Sequence, residues 1–328
     1  MPGNSSTVLL TDRAWPDDDV EREIVTRAGF QFVSGPPEPA SAALIEQLVR
    51  EHQPSAILTC WAPVTRAAIQ ASPSLQIVTR MGVGLDNIDV DAATDHGVLV
   101  TNVPDYCVAE VSDHALALVL TWTRGVVAAD RAVRAGRWEP PAARLRRLGS
   151  LTCGIIGYGR IGRETARKLG AFGCTVIASD PHPPAEPGSV RFVDLDTLLE
   201  SSDVVIVHAP LTAATRGLID APQLARMRPD GLLVNVSRGG LVVSSAVSAA
   251  LAQGRLGGAA LDVLDCEPQV PSDLLSYEGV VITPHIAFSS DLSLVDLRRS
   301  AADEVVRVLR GEPAHHPAQQ PDEVGVQA

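Results

Sequence analysis

Three glycines, Gly157, Gly159 and Gly162, stand in the spacing Gly-Xaa-Gly-Xaa-Xaa-Gly directly after the apolar run 152–156 and ahead of a helical stretch at 163–171. That spacing can bind a pyrophosphate. Gly157 permits a tight turn, Gly159 lets the backbone approach phosphate oxygens, and Gly162 lets helix and strand pack closely, while the helix N-terminus faces the anion. The next strand-like run, CTVIASD, ends on Asp180, whose carboxylate can accept hydrogen bonds from adenosine ribose hydroxyls. Taken alone, Asp180 also reads as a solvated turn residue before Pro181, and glycine turns are common in α/β proteins. Strand, glycines, helix, second strand and terminal acid in that order make a dinucleotide site. No arginine follows Asp180 immediately and its charge repels a 2′-phosphate, so NAD is favoured over NADP.

Three later segments place polar side chains at the carboxyl ends of successive strand-like runs, where open α/β sheets bind ligands. They are Asn235-Val-Ser-Arg238-Gly239, Asp262-Val-Leu-Asp-Cys-Glu267-Pro268 and Thr283-Pro-His285. Singly, each key residue has a plainer reading: Arg238 as a surface turn, Glu267 as a helix-start carboxylate, His285 as a ring satisfying a backbone group. In sequence order, GxGxxG, Asp, NxSRG, DVxxxEP and TPH together, the chain resembles the D-isomer-specific 2-hydroxyacid dehydrogenases along nearly its whole length. This is the family of phosphoglycerate dehydrogenase, glyoxylate reductase and the C-terminal-binding corepressors. The resemblance implies an NAD-dependent enzyme that interconverts a 2-oxo acid and a D-2-hydroxy acid. Arg238 would bind the substrate carboxylate and carbonyl, His285 would be the general acid/base, and Glu267 would pair with His285. Hydride arriving at a ketone carbon leaves charge on oxygen, which an adjacent imidazolium can neutralise. A planar guanidinium suits the side-by-side oxygens of a 2-oxo acid. A nearby Glu267 is expected to favour the charged imidazole and raise its pKa.

The same resemblance assigns further residues. Within Arg80-Met-Gly82-Val83-Gly84-Leu-Asp86-Asn, the backbone amides of Val83 and Gly84 would hold the substrate carboxylate, making Val83, Gly84, Arg238 and His285 the substrate set. Arg160 and Ile161 would meet the pyrophosphate, Asp180 the ribose, Val236, Ser237 and Arg238 the length of the dinucleotide, and Asp262 its carboxamide. His208, in VHAP, reads as structural or cofactor-adjacent. Some positions depart from close branches. Cys60-Trp61-Ala62 stands where phosphoglycerate dehydrogenases usually carry a cation for the substrate phosphate, although Arg80 could contribute one. Val83 is not the lysine of phosphite-oxidising relatives, and Glu267 is not the glutamine of formate-oxidising ones. Trp61, Tyr106 and Phe288 suggest an aromatic pocket and a substrate with an apolar or aromatic side chain. Phe288, in TPHIAF, is similar to the corepressor branch, so an NAD-sensing binding protein with little turnover is the alternative function.

These residues need a frame. Runs at TVLL, SAILT, LQIVT and VLVTN alternate with helical patterns at 19–28 and 41–51, and a second series runs TCGIIG, CTVIASD, DVVIVHAP, GLLVNVS, GGAALDV and GVVITPH. Strands alternating with helices imply parallel sheets covered on both faces. The expected fold is α/β, with two doubly wound parallel-sheet domains. Residues 102–286 form a central Rossmann NAD-binding domain, and 1–101 with 287–328 form a flavodoxin-like substrate domain, a ligand cleft lying between them. An amphipathic helix at 292–309 is expected to cross back onto the first domain. Residues 108–126 read as one long helix, apolar on nearly every face, which the resemblance assigns to a homodimer.

Composition limits the partners. Hydrophobic residues at 45% and charged residues at 20% are those of a globular chain, and its length suits about two domains. With 39 acidic against 27 basic residues the net charge is -12, which repels a nucleic-acid backbone. The opening MPGNSSTVLLTD lacks the basic and apolar regions of an export signal, and no apolar run suits a membrane span, so a cytoplasmic protein is expected. Five scattered cysteines, none in CxxC spacing, read as reduced packing residues. His315 and His316, in the Pro-rich tail after Gly311, are expected to lie in a disordered end, and no metal is assigned.

Overall fold

The structure is a computed structural model that describes residues 6–138, 145–186 and 188–319, so the middle of the Pro- and Arg-rich stretch at 137–147 lies outside the described residues. The chain divides into two compact units, 1–106 with 290–328 and 107–289. The divisions fall a few residues after those expected at 101/102 and 286/287.

Unit 1 contains β1 (Thr7–Leu10), α1 (Asp19–Arg27), β2 (Gln31–Ser34), α2 (Ala42–His52), β3 (Ala56–Thr59), α3 (Arg66–Gln70), β4 (Ile77–Arg80), α4 (Val90–Asp95) and β5 (Leu99–Thr101). All strands are parallel in the order β2-β1-β3-β4-β5, the doubly wound order of flavodoxin. β3 and β4 are buried throughout, as strands covered on both faces must be, which is why their apolar runs are continuous. β2 is an edge strand, partly exposed along its whole length, and lacks such a run.

The last helix, α12 (Asp291–Leu309), returns to unit 1, as its amphipathic pattern requires. Ser290 caps it by accepting the Ser293 amide, and Leu297, Ala301 and Val305 enter the core beside Val8 and Leu58. Arg298 anchors it electrostatically. Its Nε and Nη2 reach the fully buried Glu21 carboxylate at 2.9 to 3.1 Å, Nη2 reaches Asp17 Oδ1 at 2.7 Å, and the guanidinium lies over the Trp15 ring.

Beyond α12 the expected disorder does not hold as far as Gln319. Ala318 donates its amide to Val100 O, and the Gln319 side chain bonds Val100 N and Val98 O, so the segment covers the open edge of β5. The amides of His315 and His316 bond Glu304 Oε1. No cluster of metal-ligating side chains occurs among the described residues.

Unit 2 contains α5 (Val108–Thr123), α6 (Val126–Arg134), β6 (Thr152–Ile156), α7 (Arg160–Ala171), β7 (Thr175–Ser179), β8 (Arg191–Phe192), α8 (Leu195–Ser201), β9 (Val204–Val207), α9 (Ala221–Leu224), β10 (Leu232–Asn235), α10 (Ser244–Ala252), β11 (Gly258–Leu261), α11 (Ser272–Leu275) and β12 (Val280–Ile282). Its parallel strands run β12-β11-β10-β9-β6-β7-β8, with the chain reversing direction across the sheet beside β6. That is the Rossmann order, with its switch point between β6 and β9.

The long helix expected over 108–126 ends at Thr123, because Gly125 takes a left-handed φ of 62° and a new helix starts at Val126. α5 packs on α7, β10 and β11 and buries Val111, Ala115, Leu118 and Val119. α6 instead buries no residue: Val126 and Val133 are exposed, and Trp138 beyond it is 88% exposed.

Candidate active site

The glycine loop has the shape its spacing implies. β6 ends at Ile156, and Gly157 turns the chain with φ 90°; a Cβ there would lie 2.6 Å from the Ala209 amide nitrogen. A Cβ on Gly162 would lie 2.2 Å from Gly157 O, so only glycine lets α7 start this close to the strand. A Cβ on Gly159 meets nothing within 4 Å, which leaves open space over the uncapped N-terminus of α7, where Arg160 and Ile161 form the first turn. Asp180, just past β7, accepts the Tyr158 amide at 2.6 Å and the His182 amide at 2.8 Å, which ties it to the loop. Each carboxylate oxygen keeps a further lone pair for a hydroxyl.

His208 follows β9 beside this loop. Its Nε2 is buried with no hydrogen-bond partner among the described residues, and burial pushes the imidazole down to about 4, so the ring is neutral at physiological pH. A buried polar atom of this kind calls for a partner from outside the chain. An open glycine turn, a tethered acid and this orphaned nitrogen together fit a dinucleotide.

Three strand ends build the polar cluster. After β10, the Asn235 side chain accepts the Ser237 amide at 3.1 Å and donates to Arg238 O at 2.9 Å, closing the turn that carries Val236, Ser237 and Arg238. Ser237 Oγ donates to Ala209 O, and Arg238 Nη1 donates to Ser237 O. A Cβ on Gly239 would lie 1.8 Å from Leu264 O, so this turn sits directly on the loop after β11.

In that second loop Glu267 Oε1 accepts the Leu264 amide at 2.8 Å, and Oε2 meets His285 Nδ1 at 2.9 Å. Burial opposes ionisation of Glu267, but the His285 ring, the Leu264 amide and the Arg238 guanidinium outweigh it and hold the carboxyl below its usual value. The cluster is therefore an ionised carboxylate between an imidazole and a guanidinium. Phe288 stands edge-on to His285, with ring centroids 6.1 Å apart.

Asp262, expected at the carboxamide, is 2% exposed, and both its oxygens accept bonds from the chain while Oδ2 keeps a further lone pair. Oδ1 accepts Thr283 Oγ1 and the Ile286 amide, and Oδ2 accepts the Ala287 amide. His114, a lone histidine in an apolar helix that sequence reasoning passed over, completes the group with Nε2 3.0 Å from Thr283 Oγ1.

In unit 1, Val83 and Gly84 lie on the loop after β4, held by Asn102 Nδ2 donating to Val83 O. Their own amides have no hydrogen-bond partner among the described residues. Arg80 is buried and bonds Met81 O. Asp12 also escaped the sequence reading. This fully buried carboxylate accepts the amides of Cys60, Trp61 and Ala62 at 2.7 to 3.0 Å. Trp61 and Tyr106 rest half-buried on the core of unit 1.

A family model described as D-isomer specific 2-hydroxyacid dehydrogenase, NAD binding domain, matches residues 116–287. The chain is 39% identical over 277 residues to D-3-phosphoglycerate dehydrogenase of Archaeoglobus fulgidus, covering 83% of this chain and 53% of that protein. It is 39% identical over 230 residues to hydroxypyruvate reductase of Thermotoga maritima, covering 69% of this chain and 75% of that one. The chain spans about half the length of the phosphoglycerate dehydrogenases it matches. The NADPH-dependent glyoxylate/hydroxypyruvate reductase of Sinorhizobium meliloti, solved with NADP and malonate, superposes with a TM-score of 0.87 at 32% identity over 99% of each chain. Sequence, sheet order and strand-end cluster agree: the chain belongs to the D-isomer specific 2-hydroxyacid dehydrogenase family.

Proposed function

We propose that this chain is an NAD-dependent oxidoreductase that interconverts a 2-oxo acid and a D-2-hydroxy acid. The observation that carries the reading is the 2.9 Å pair of His285 Nδ1 with an ionised Glu267, next to Arg238, at the ends of adjacent strands. We assign unit 2 to the cofactor, through Gly157, Gly159, Arg160, Ile161, Gly162, Asp180, Val236, Ser237, Arg238 and Asp262, and unit 1 to the substrate. When bound, the nicotinamide supplies the hydride in reduction and accepts it in oxidation. Arg238 grips the carboxylate and carbonyl oxygens, and the Val83 and Gly84 amides meet the carboxylate. With Nδ1 held by Glu267, His285 Nε2 gives its proton to the carbonyl oxygen during reduction and takes it back from the hydroxyl in oxidation.

The favoured substrate carries an apolar or aromatic side chain. The three amides at 60–62 are spent on Asp12, whose negative charge behind the loop opposes a phosphate there. Trp61 and Tyr106 offer apolar surface. NADH oxidation measured over a panel of 2-oxo acids should give higher kcat/KM for phenylpyruvate or branched 2-oxo acids than for 3-phosphohydroxypyruvate; the reverse order rejects the substrate reading, and no turnover of any acid rejects the enzyme.

Asp180 selects NAD in this reading, in contrast to the NADP-bound relative. Asp180→Asn keeps the side-chain shape and one of the two oxygens that accept the Tyr158 and His182 amides but removes the charge, and the NAD-over-NADP preference should fall by at least about tenfold, equal to about 1.4 kcal/mol. An unchanged ratio of kcat/KM values assigns the selectivity elsewhere.

The partner for α6 is a second copy of this chain. Val126, Val133 and Trp138 expose apolar area that a monomer rarely leaves in water, whereas α5 is largely spent on its own unit. Sedimentation at micromolar concentration should give a dimer mass; a monomer mass removes this assignment. The five cysteines are free thiols, which fits a reducing cytoplasm, and no helix among the described residues is long and apolar enough to cross a membrane.

A further inference from the structure

We propose that His114 is a positioning residue for His285, acting through Thr283 and Asp262; the inference rests on the reading of His285 as the acid/base. His285 has φ 54°, a left-handed backbone that is unfavourable for a residue with a β-carbon, so other bonds must hold the turn at 283–287. Asp262 supplies them. Its backbone oxygen accepts the His285 amide at 2.8 Å, Oδ1 accepts the Ile286 amide at 3.0 Å, and Oδ2 accepts the Ala287 amide at 2.9 Å. One buried residue therefore holds the backbone turn that carries the His285 ring, while Glu267 holds the ring at Nδ1.

The Asp262 carboxylate is itself held from α5. Thr283 Oγ1 lies 2.5 Å from Asp262 Oδ1 and donates to it, which uses its single hydrogen. Towards His114 Nε2, 3.0 Å away, the same hydroxyl oxygen can then only accept, so Nε2 carries a hydrogen in either charge state of the ring. The Nε2–H also stands 3.5 Å from Asp262 Oδ1. His114 donates to Thr283 and Thr283 to Asp262, whose carboxylate also accepts the Ile286 and Ala287 amides that follow the acid/base. Removing His114 frees the Thr283 hydroxyl to turn and loosens the carboxylate. A ring displaced by about 1 Å loses roughly 10²-fold in rate without losing its chemistry.

The test compares His114→Phe with His114→Gln, whose amide N–H can replace the Nε2 donor. His114→Phe should lower kcat for 2-oxo acid reduction by about 10- to 100-fold, with KM, the NADH dissociation constant and Tm nearly unchanged. His114→Gln should recover most of kcat. Ring ¹⁵N spectra should show hydrogen on His114 Nε2, and the His285 ring signals should shift in His114→Phe. Wild-type kcat in His114→Phe, equal losses in both variants accompanied by a lowered Tm, or a ring protonated only on Nδ1 would overturn the proposal. Should the wild type turn over no 2-oxo acid, the acid/base reading falls by itself, and the His285 ring signals still decide: identical spectra in wild type and His114→Phe reject the positioning role.

Discussion

Replacing His285 by alanine is expected to lower kcat for 2-oxo acid reduction by roughly 10²- to 10⁴-fold, the span of a lost general acid, while NADH affinity stays nearly intact. Glu267→Gln should do less damage and change the pH profile instead. Reduction needs the ring held by the Glu267 carboxylate, whose Oε2 lies 2.9 Å from His285 Nδ1 and which the variant lacks at every pH. Because Glu267 is held below its usual value, the pair persists until pH falls below the ordinary carboxylate range, and only there should wild type lose it. Superimposable kcat/KM profiles for wild type and Glu267→Gln, or an active His285→Ala protein, would place the proton source elsewhere.

Arg298→Met should cost unit 1 about 3–5 kcal/mol, the penalty for leaving a buried charge without its partner. Glu21 is fully buried and, among the described residues, its carboxylate pairs with Arg298 alone, whereas Asp17 is half exposed and can return to water. The double change Glu21→Met with Arg298→Met should recover most of that loss, because two apolar chains of similar length fill the space. Urea unfolding followed by a probe in unit 1 measures both. A single-variant loss below about 1 kcal/mol, or a double variant no better than Arg298→Met, would show that α12 is held by its apolar face and not by the ion pair.

The parts of this fold legible in sequence are those set by local chemistry. Gly157, Gly159 and Gly162 sit in the turn, open approach and close packing that their spacing implies, and the runs TVLL, SAILT, TCGIIG and DVVIVHAP became strands because burial on both faces demands continuous apolar residues. Glu267 and His285 do meet. What escaped depends on distant partners. β2 and the two-residue β8 lie at sheet edges, where little burial shapes their composition. The break at Gly125 was hidden in an apolar run that continues through Val126 and Val127. The docking of residues 315–319 depends on Glu304 and on the edge of β5, and a Pro- and His-containing segment shows no trace of either in its own pattern. Asp12 and His114 each look like single polar residues beside apolar runs, and only the fold reveals that one organises three amides and the other faces Thr283.

The interrupted layout of unit 1 also fixes an order of events during synthesis. Residues 107–289 leave the ribosome as one uninterrupted stretch and contain every strand of their own sheet. Unit 1 has all five strands in its first 106 residues but lacks Leu297, Ala301 and Val305, which close its core from α12. Its nascent sheet must therefore wait, with one face covered by α1 but not yet by α12, while the whole of unit 2 is translated and free to fold. At roughly 5–20 residues per second that interval is on the order of ten seconds or more, so unit 1 is the part of the chain most exposed to chaperones and to misassociation before α12 arrives.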